Sequence, residues 1–226
     1  MLANTEPAAE ALRTAHPWAW DKVTVVRNGW DQLAHTSIPR GRFTVSYAGT
    51  IYGDRSPSPL FEAVARLRAV RPLSPKTFGV EFMGRIEPGE DWVVALADAA
   101  GVADLVRLHP AADRQAAARF MARAAVLVSL PWGQDLAVPA KVYDYLTFEA
   151  WPLILARSNS APARMLAGTG AHVADPGDPA GIAELLCGLY DRWCAGERPG
   201  PVAGREAFSR AAAASALVEC LEAYVE

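Results

Sequence analysis

Lysine is scarce in this chain of 226 residues, although arginine and alanine are abundant, and the formal net charge is only −3. No broad basic field exists to hold a nucleic acid by its phosphates, so any anion site must be local. The arginine-over-lysine bias is of the kind that GC-rich coding produces without chemistry. Cysteine is sparse as well: Cys187, Cys194 and Cys220 are odd in number and lack the paired spacing of a zinc site or a disulfide framework. They read as reduced thiols of a cytoplasmic protein, with no metal site expected. No apolar run reaches the roughly 18 residues that a transmembrane segment requires, and MLANTE has neither the basic head nor the apolar core of a signal peptide. No internal repeat or low-complexity tract interrupts the chain. With 51% hydrophobic residues, the length suffices for one large domain with a sizeable core.

What is present is an alternation. Apolar runs VTVVRN (23–28), FTVSYAGT (43–50), FGVEFMG (78–84), LVRLHP (105–110), AVLVSL (125–130), PLILAR (152–157) and AHVADP (171–176) have the two-sided hydrophobicity of buried parallel strands. Between them, residues 57–70, 90–100, 112–124, 139–150 and 161–168 carry apolar positions at helical spacing. The repeat predicts right-handed βαβ units in an α/β, Rossmann-like, doubly wound parallel sheet. Asp178-Pro179 opens a further helix with a cap and a first-turn proline, and Gly101 and Gly168 stand where helices should stop. Residues 195–204 read as a loop, and 205–226 as one long final helix. Residues 4–16 read as a helix with no strand before it, as if belonging to something that precedes.

In an open parallel sheet, ligands lie beyond the C-terminal strand ends. The loop after FTVSYAG brings Gly49, Thr50 and Arg55 ahead of a helix, which suits a phosphate, although turn geometry and a solvated arginine explain it equally simply. The segment VPAKVYDYL puts Lys141 and Asp144 on one helical face, opposite Val142, Tyr145 and Leu146. A carboxylate there can accept both hydroxyls of a ribose, whereas a plain lysine–aspartate helical pair is the simpler account.

The order of these motifs resembles the C-terminal domain of GT-B fold glycosyltransferases, particularly the retaining family four (glycosyl transferases group 1). KVTVVRNGWD resembles the strand and Asn-Gly-x-Asp linker that opens that domain, Tyr47-Ala-Gly-Thr its glycine loop, and PAKVYDYL with Pro152 its donor-binding segment. The resemblance spans residues from about 20 to 195. It implies binding of a nucleotide-diphosphate sugar, UDP-sugar by default, as substrate and without a cofactor. Asp144 takes the place of the family's ribose-binding glutamate and Arg55 that of its diphosphate lysine. Thr50 stands where the family has an arginine, and Lys141 is expected to supply the second cation. His109 and Pro110 lie in the loop that commonly faces the base. The position of the family's first glutamate is Leu136; Asp135, or backbone N–H groups of the loop from Gly133 to Leu136, would replace it. His16, His35 and His172 fall in no motif.

The same resemblance divides the chain into a helical segment (1–20), a nucleotide-sugar-binding domain (21–195) and a C-terminal loop and helix (196–226) that would pack toward an N-terminal acceptor domain. That domain, which in the family carries the catalytic histidine, is missing from this sequence. The chain is then a piece of a longer protein or works with a separate partner chain, and no catalytic residue can be assigned within it. A non-catalytic interaction or regulatory module is the alternative, and a GT-B-shaped epimerase or phosphorylase a more distant one.

Overall fold

The computed structural model describes residues 1–31, 41–131, 133 and 135–223. The chain begins with a short parallel pair, β1 (Leu2–Ala3) beside β2 (Thr24–Val25), connected through helix α1 (Glu6–Ala15). The Thr5 hydroxyl caps α1 by accepting from the Ala8 N–H at 3.1 Å. Two expectations change here: a strand does precede the first helix, and 23–28 is a two-residue strand outside the main sheet. The cause is local packing, because Val23 is buried with Ala3 and Ala9 in a small cluster of their own.

The main sheet contains β3 (Phe43–Ala48), β4 (Phe78–Met83), β5 (Val106–His109), β6 (Val126–Ser129), β7 (Trp151–Leu155) and β8 (His172–Ala174). All pair in parallel, in the order β5-β4-β3-β6-β7-β8, so strand order reverses between β3 and β6. This is a doubly wound arrangement with its switch point at the centre. The intervening helices are α2 (Ser58–Val70), α3 (Asp91–Ala99), α4 (Arg114–Met121), α5 (Ala140–Tyr145), α6 (Ala161–Leu166), α7 (Pro179–Cys194) and α8 (Arg210–Glu222). Asp178 caps α7 through the Gly181 N–H at 3.0 Å, and Gly101 (φ 69°) and Gly168 (φ 77°) take the left-handed conformation beyond helix ends. Helix α5 ends at Tyr145 instead of continuing to residue 150, and the final segment is broken at Ser209, whose hydroxyl starts α8 by accepting from the Ala212 N–H at 3.1 Å.

The two faces of the sheet differ. Phe43, Val45, Tyr47, Phe78, Val80 and Phe82 point into the main core beneath α2 and α7. There Phe43 stacks on Phe78 at 5.5 Å and receives the edges of Tyr190 and Trp193 at 5.5 and 5.8 Å. Trp151 is buried in the same core. The opposite face of β4 and β5 presents Gly79, Glu81, Met83, Arg107 and His109, by the alternation of a pleated strand. The expectation of strands apolar on both faces therefore holds for β6 and β7, which are wholly buried, and not for β4 and β5.

At the switch point β3 and β6 pair only at Val45–Val126 and Ser46–Leu127. Beyond that the strands separate, and Tyr145 fills the gap. Its hydroxyl accepts from the Ala48 N–H (3.4 Å) and donates to the Val128 carbonyl (3.1 Å). Burial pushes its ionisation well above the ordinary tyrosine range, so it stays a neutral donor. Tyr145→Phe leaves the buried Val128 carbonyl and the partly buried Ala48 N–H without this partner and should cost about 1–3 kcal/mol in unfolding free energy by denaturant titration; a change within a few tenths would show that the bridge carries no stability.

Candidate functional site: a cationic crevice at the switch point

The splayed ends of β3 and β6 open a crevice floored by α5. Gly49 and Gly84, the residues after β3 and β4, approach backbone to backbone: a Cβ on Gly84 would stand 2.2 Å from the Gly49 carbonyl oxygen. Both have positive φ, 133° and 147°. Gly49 also makes room for Lys141, whose Nζ lies 2.5 Å from where a Gly49 Cβ would be. That ammonium sits 3.6 Å from the centre of the Tyr47 ring, a cation–π contact, and its Nζ makes no hydrogen bond to any described residue. The Tyr47 hydroxyl donates to the Thr50 carbonyl at 2.8 Å, which fixes the glycine loop against the core. Arg55 lies over the Tyr52 ring at 5.0 Å, near enough to Tyr47 and Lys141 to influence both.

Four expected residues, Gly49, Thr50, Arg55 and Lys141, are thus brought together around Tyr47. Asp144, one turn along α5, faces a different set of charges. Burial raises its carboxyl above the ordinary range, against the pull of Arg114 at the start of α4 and Arg210 at the start of α8. Arg210 also pairs with Asp31 at 3.1 Å. The Asn28-Gly29-Trp30 segment docks there: Trp30 N–H donates to the Phe208 carbonyl and Arg210 N–H to the Trp30 carbonyl, both at 3.0 Å.

The remaining expected residues lie apart. Gly133 and Asp135 line a cavity of about 240 Å³ at the ends of β6 and β7, where Asp135 pairs with Arg157 at 2.8 Å. The Leu136 carbonyl accepts from the Thr5 hydroxyl, and its side chain lines a groove with Leu2, Ala8 and Leu12, which directs this residue toward the N-terminal unit. His109 ends β5, but its ring turns onto the polar sheet face, Nε2 lying 3.0 Å from Glu81. His35, Trp132 and Gln134 lie outside the described residues. Sequence reasoning missed Tyr47, Gly84 and Arg114. Gly84 directly follows a strand, as Gly49 does, and Arg114 follows the cap Asp113 in the loop after β5, so both carried a positional signal.

No family model matches the chain. Curated relatives do: the D-inositol 3-phosphate glycosyltransferase of Stackebrandtia nassauensis is 33% identical over 147 residues, 58% of this chain and 33% of its own length. The enzyme of that name from Streptomyces avermitilis is 25% identical over an alignment covering 100% of this chain and 52% of its own. Among solved structures, Anabaena HepE in complex with UDP superposes with a TM-score of 0.75 over 98% of this chain and 63% of that one, at 14% identity. The chain is a GT-B-fold relative of the group 1 glycosyltransferases. It corresponds to the C-terminal half of that fold and spans between a third and about half of the length of these curated relatives. In doubly wound sheets ligands are held at the switch point, and here that crevice contains a buried ammonium with no acceptor among the described residues.

Burial, with Arg55 nearby, pushes Lys141 from its ordinary 10.5 down to about 7. The unfolded lysine keeps its proton up to about 10.5 and the folded one only to about 7, so between these values the unfolded state binds more protons and stability rises with pH. Lys141→Met should remove that rise. Denaturant titrations from pH 6.5 to 9.5 should show the wild type gaining on the variant by up to about 1.4 kcal/mol per pH unit; parallel profiles would place the lysine in water.

Proposed function

We propose that this chain is the donor-binding half of a retaining glycosyltransferase, which holds a nucleotide-diphosphate sugar, UDP-sugar by default, for transfer to an acceptor. The observation that carries this reading is the pairing of Lys141 with Arg55 beneath the glycine loop, with Asp144 one turn further on. Two cations that raise each other's energy, one without a hydrogen-bond acceptor, are stabilised by a diphosphate bridging them. Asp144 accepts the ribose hydroxyls. Its raised carboxyl pKa fits a group that becomes fully useful as an acceptor once such donors arrive. The relatives are named as glycosyltransferases, which supports sugar transfer, and the UDP held by the Anabaena protein supports the ligand class.

The acceptor side belongs to an N-terminal domain, elsewhere in the polypeptide or on a partner chain. Supporting this, β1, α1 and β2 form a single βαβ unit beside an open apolar groove. Helix α8 has no buried residue and leaves Val218 and Leu221 exposed. The orientation of Leu136 favours a second reading, a GT-B-like interaction module: the position expected to contact the transferred sugar is engaged with Thr5 instead.

A thermal-shift panel of UDP, GDP, ADP and TDP separates the two readings. UDP at 100 times its Kd should stabilise by about 2.7 kcal/mol, UMP by much less, and Asp144→Ala should abolish the response. No response to any nucleotide would favour the interaction module, and an undiminished shift in Asp144→Ala would remove the ribose assignment.

A further inference from the structure

The polar face of β3–β5 forms the floor of a second concavity, of about 590 Å³, walled by α4. It runs from Arg42 and Pro75, near the N-terminal ends of β3 and β4, to Met83 and His109 at the C-terminal ends of β4 and β5, and neither Lys141 nor Asp144 lines it. Its charges are sorted. The Arg42 guanidinium lies flat over Gly79, where a Cβ would stand 2.8 Å from its Cζ. It donates to the Pro75 carbonyl at 2.8 Å and to Glu81, whose other oxygen lies 3.0 Å from His109 Nε2. The one lining carboxylate is therefore fully engaged.

The other cations of the groove have no such partner. Arg107 on β5, Arg119 on α4 and Arg123 just beyond it line the space and form no ion pair with any described residue. Arg119 and Arg123 are four residues apart, a spacing at which like charges repel. The Ser46 side chain, 1% exposed, lines the floor. Three solvent-exposed guanidiniums, without an ion pair among the described residues, thus converge on one concave, hydroxyl-bearing floor.

We propose that this groove is a second anion-binding site, which takes a small phosphate-bearing molecule with two or more negative charges. Guanidinium groups give planar, bidentate hydrogen bonds to phosphate oxygens, and three of them from two walls enclose more than one such group. The volume is that of a small-ligand pocket. Its concavity favours a soluble ligand over the headgroups of a flat membrane surface, which α4 would hold away from Arg107.

Calorimetric titration with tripolyphosphate at constant ionic strength tests this, performed on Lys141→Met so that the switch-point crevice is silenced. Binding should be present, weaken at least tenfold in Arg107→Gln/Arg123→Gln and measurably in each single variant, and persist with Arg66→Gln, an exposed α2 residue outside the groove that matches the single variants in charge. Without ligand, the double variant should melt no lower than its parent, since it loses only mutual repulsion. Absent binding, binding unchanged in the double variant, or equal weakening by Arg66→Gln would overturn the site. Capture of the protein by phosphatidylglycerol vesicles without tripolyphosphate binding would overturn the assignment to a soluble ligand.

Discussion

The site depends on one hydroxyl. Where β3 and β6 part, a partly buried backbone donor at Ala48 and a buried acceptor at Val128 lose their ladder partners. Tyr145 satisfies them together, and in doing so anchors α5 across the mouth of the gap. The helix has six residues and a proline at its cap position without a side-chain cap bond, so little in its own sequence stabilises it. Its orientation comes from this anchor and from Val142, Tyr143 and Leu146, which are buried on its underside. Once Tyr145 is fixed, helical geometry leaves Lys141, one turn earlier, to meet the glycine loop, and Asp144 to face the starts of α4 and α8.

The sheet serves two environments from its two sides. On the α2 and α7 side, aromatic side chains from β3, β4 and α7 interlock, and the energy there is hydrophobic and non-directional. On the α4 side of the outer strands the same backbone presents glycine, glutamate, arginine and histidine. Gly79 has no side chain because the Arg42 guanidinium occupies that space, and Glu81 lies between two cationic or potentially cationic neighbours. A half-buried carboxylate so placed contributes through its hydrogen bonds more than through charge alone, because desolvation offsets much of the Coulomb gain.

The architecture was legible because hydrophobic runs and helical spacings alternate along the chain, and that pattern requires little beyond burial. The six strands of the main sheet lie where the apolar runs are, and Asp178, Gly101 and Gly168 mark helix boundaries through their local chemistry. The first apolar run misled because VTVV is as hydrophobic as a sheet strand, while its partner, Leu2–Ala3, is too short to carry a pattern. The polar face was visible in principle, since Glu81 and Arg107 interrupt their strands at alternate positions. Within the site, Lys141, Arg55 and Gly49 could be grouped from the sequence. The role of Tyr47 could not, because a tyrosine in a strand reads as core, and only the fold shows that its ring supports an ammonium while its hydroxyl holds the loop.

The energetics of the crevice follow from that ring. An aromatic face stabilises a cation by a few kcal/mol at most when desolvated, less than the penalty for bringing an ammonium out of water beside a guanidinium. The balance brings Lys141 from its ordinary 10.5 down to about 7. An arriving anion of two or more charges shifts it to the charged form, so that affinity and protonation rise together. Above the titration range of the empty site the ligand must bring a proton with it, and affinity falls as pH rises. A neutral ligand gains nothing from the same arrangement, so the crevice discriminates by charge.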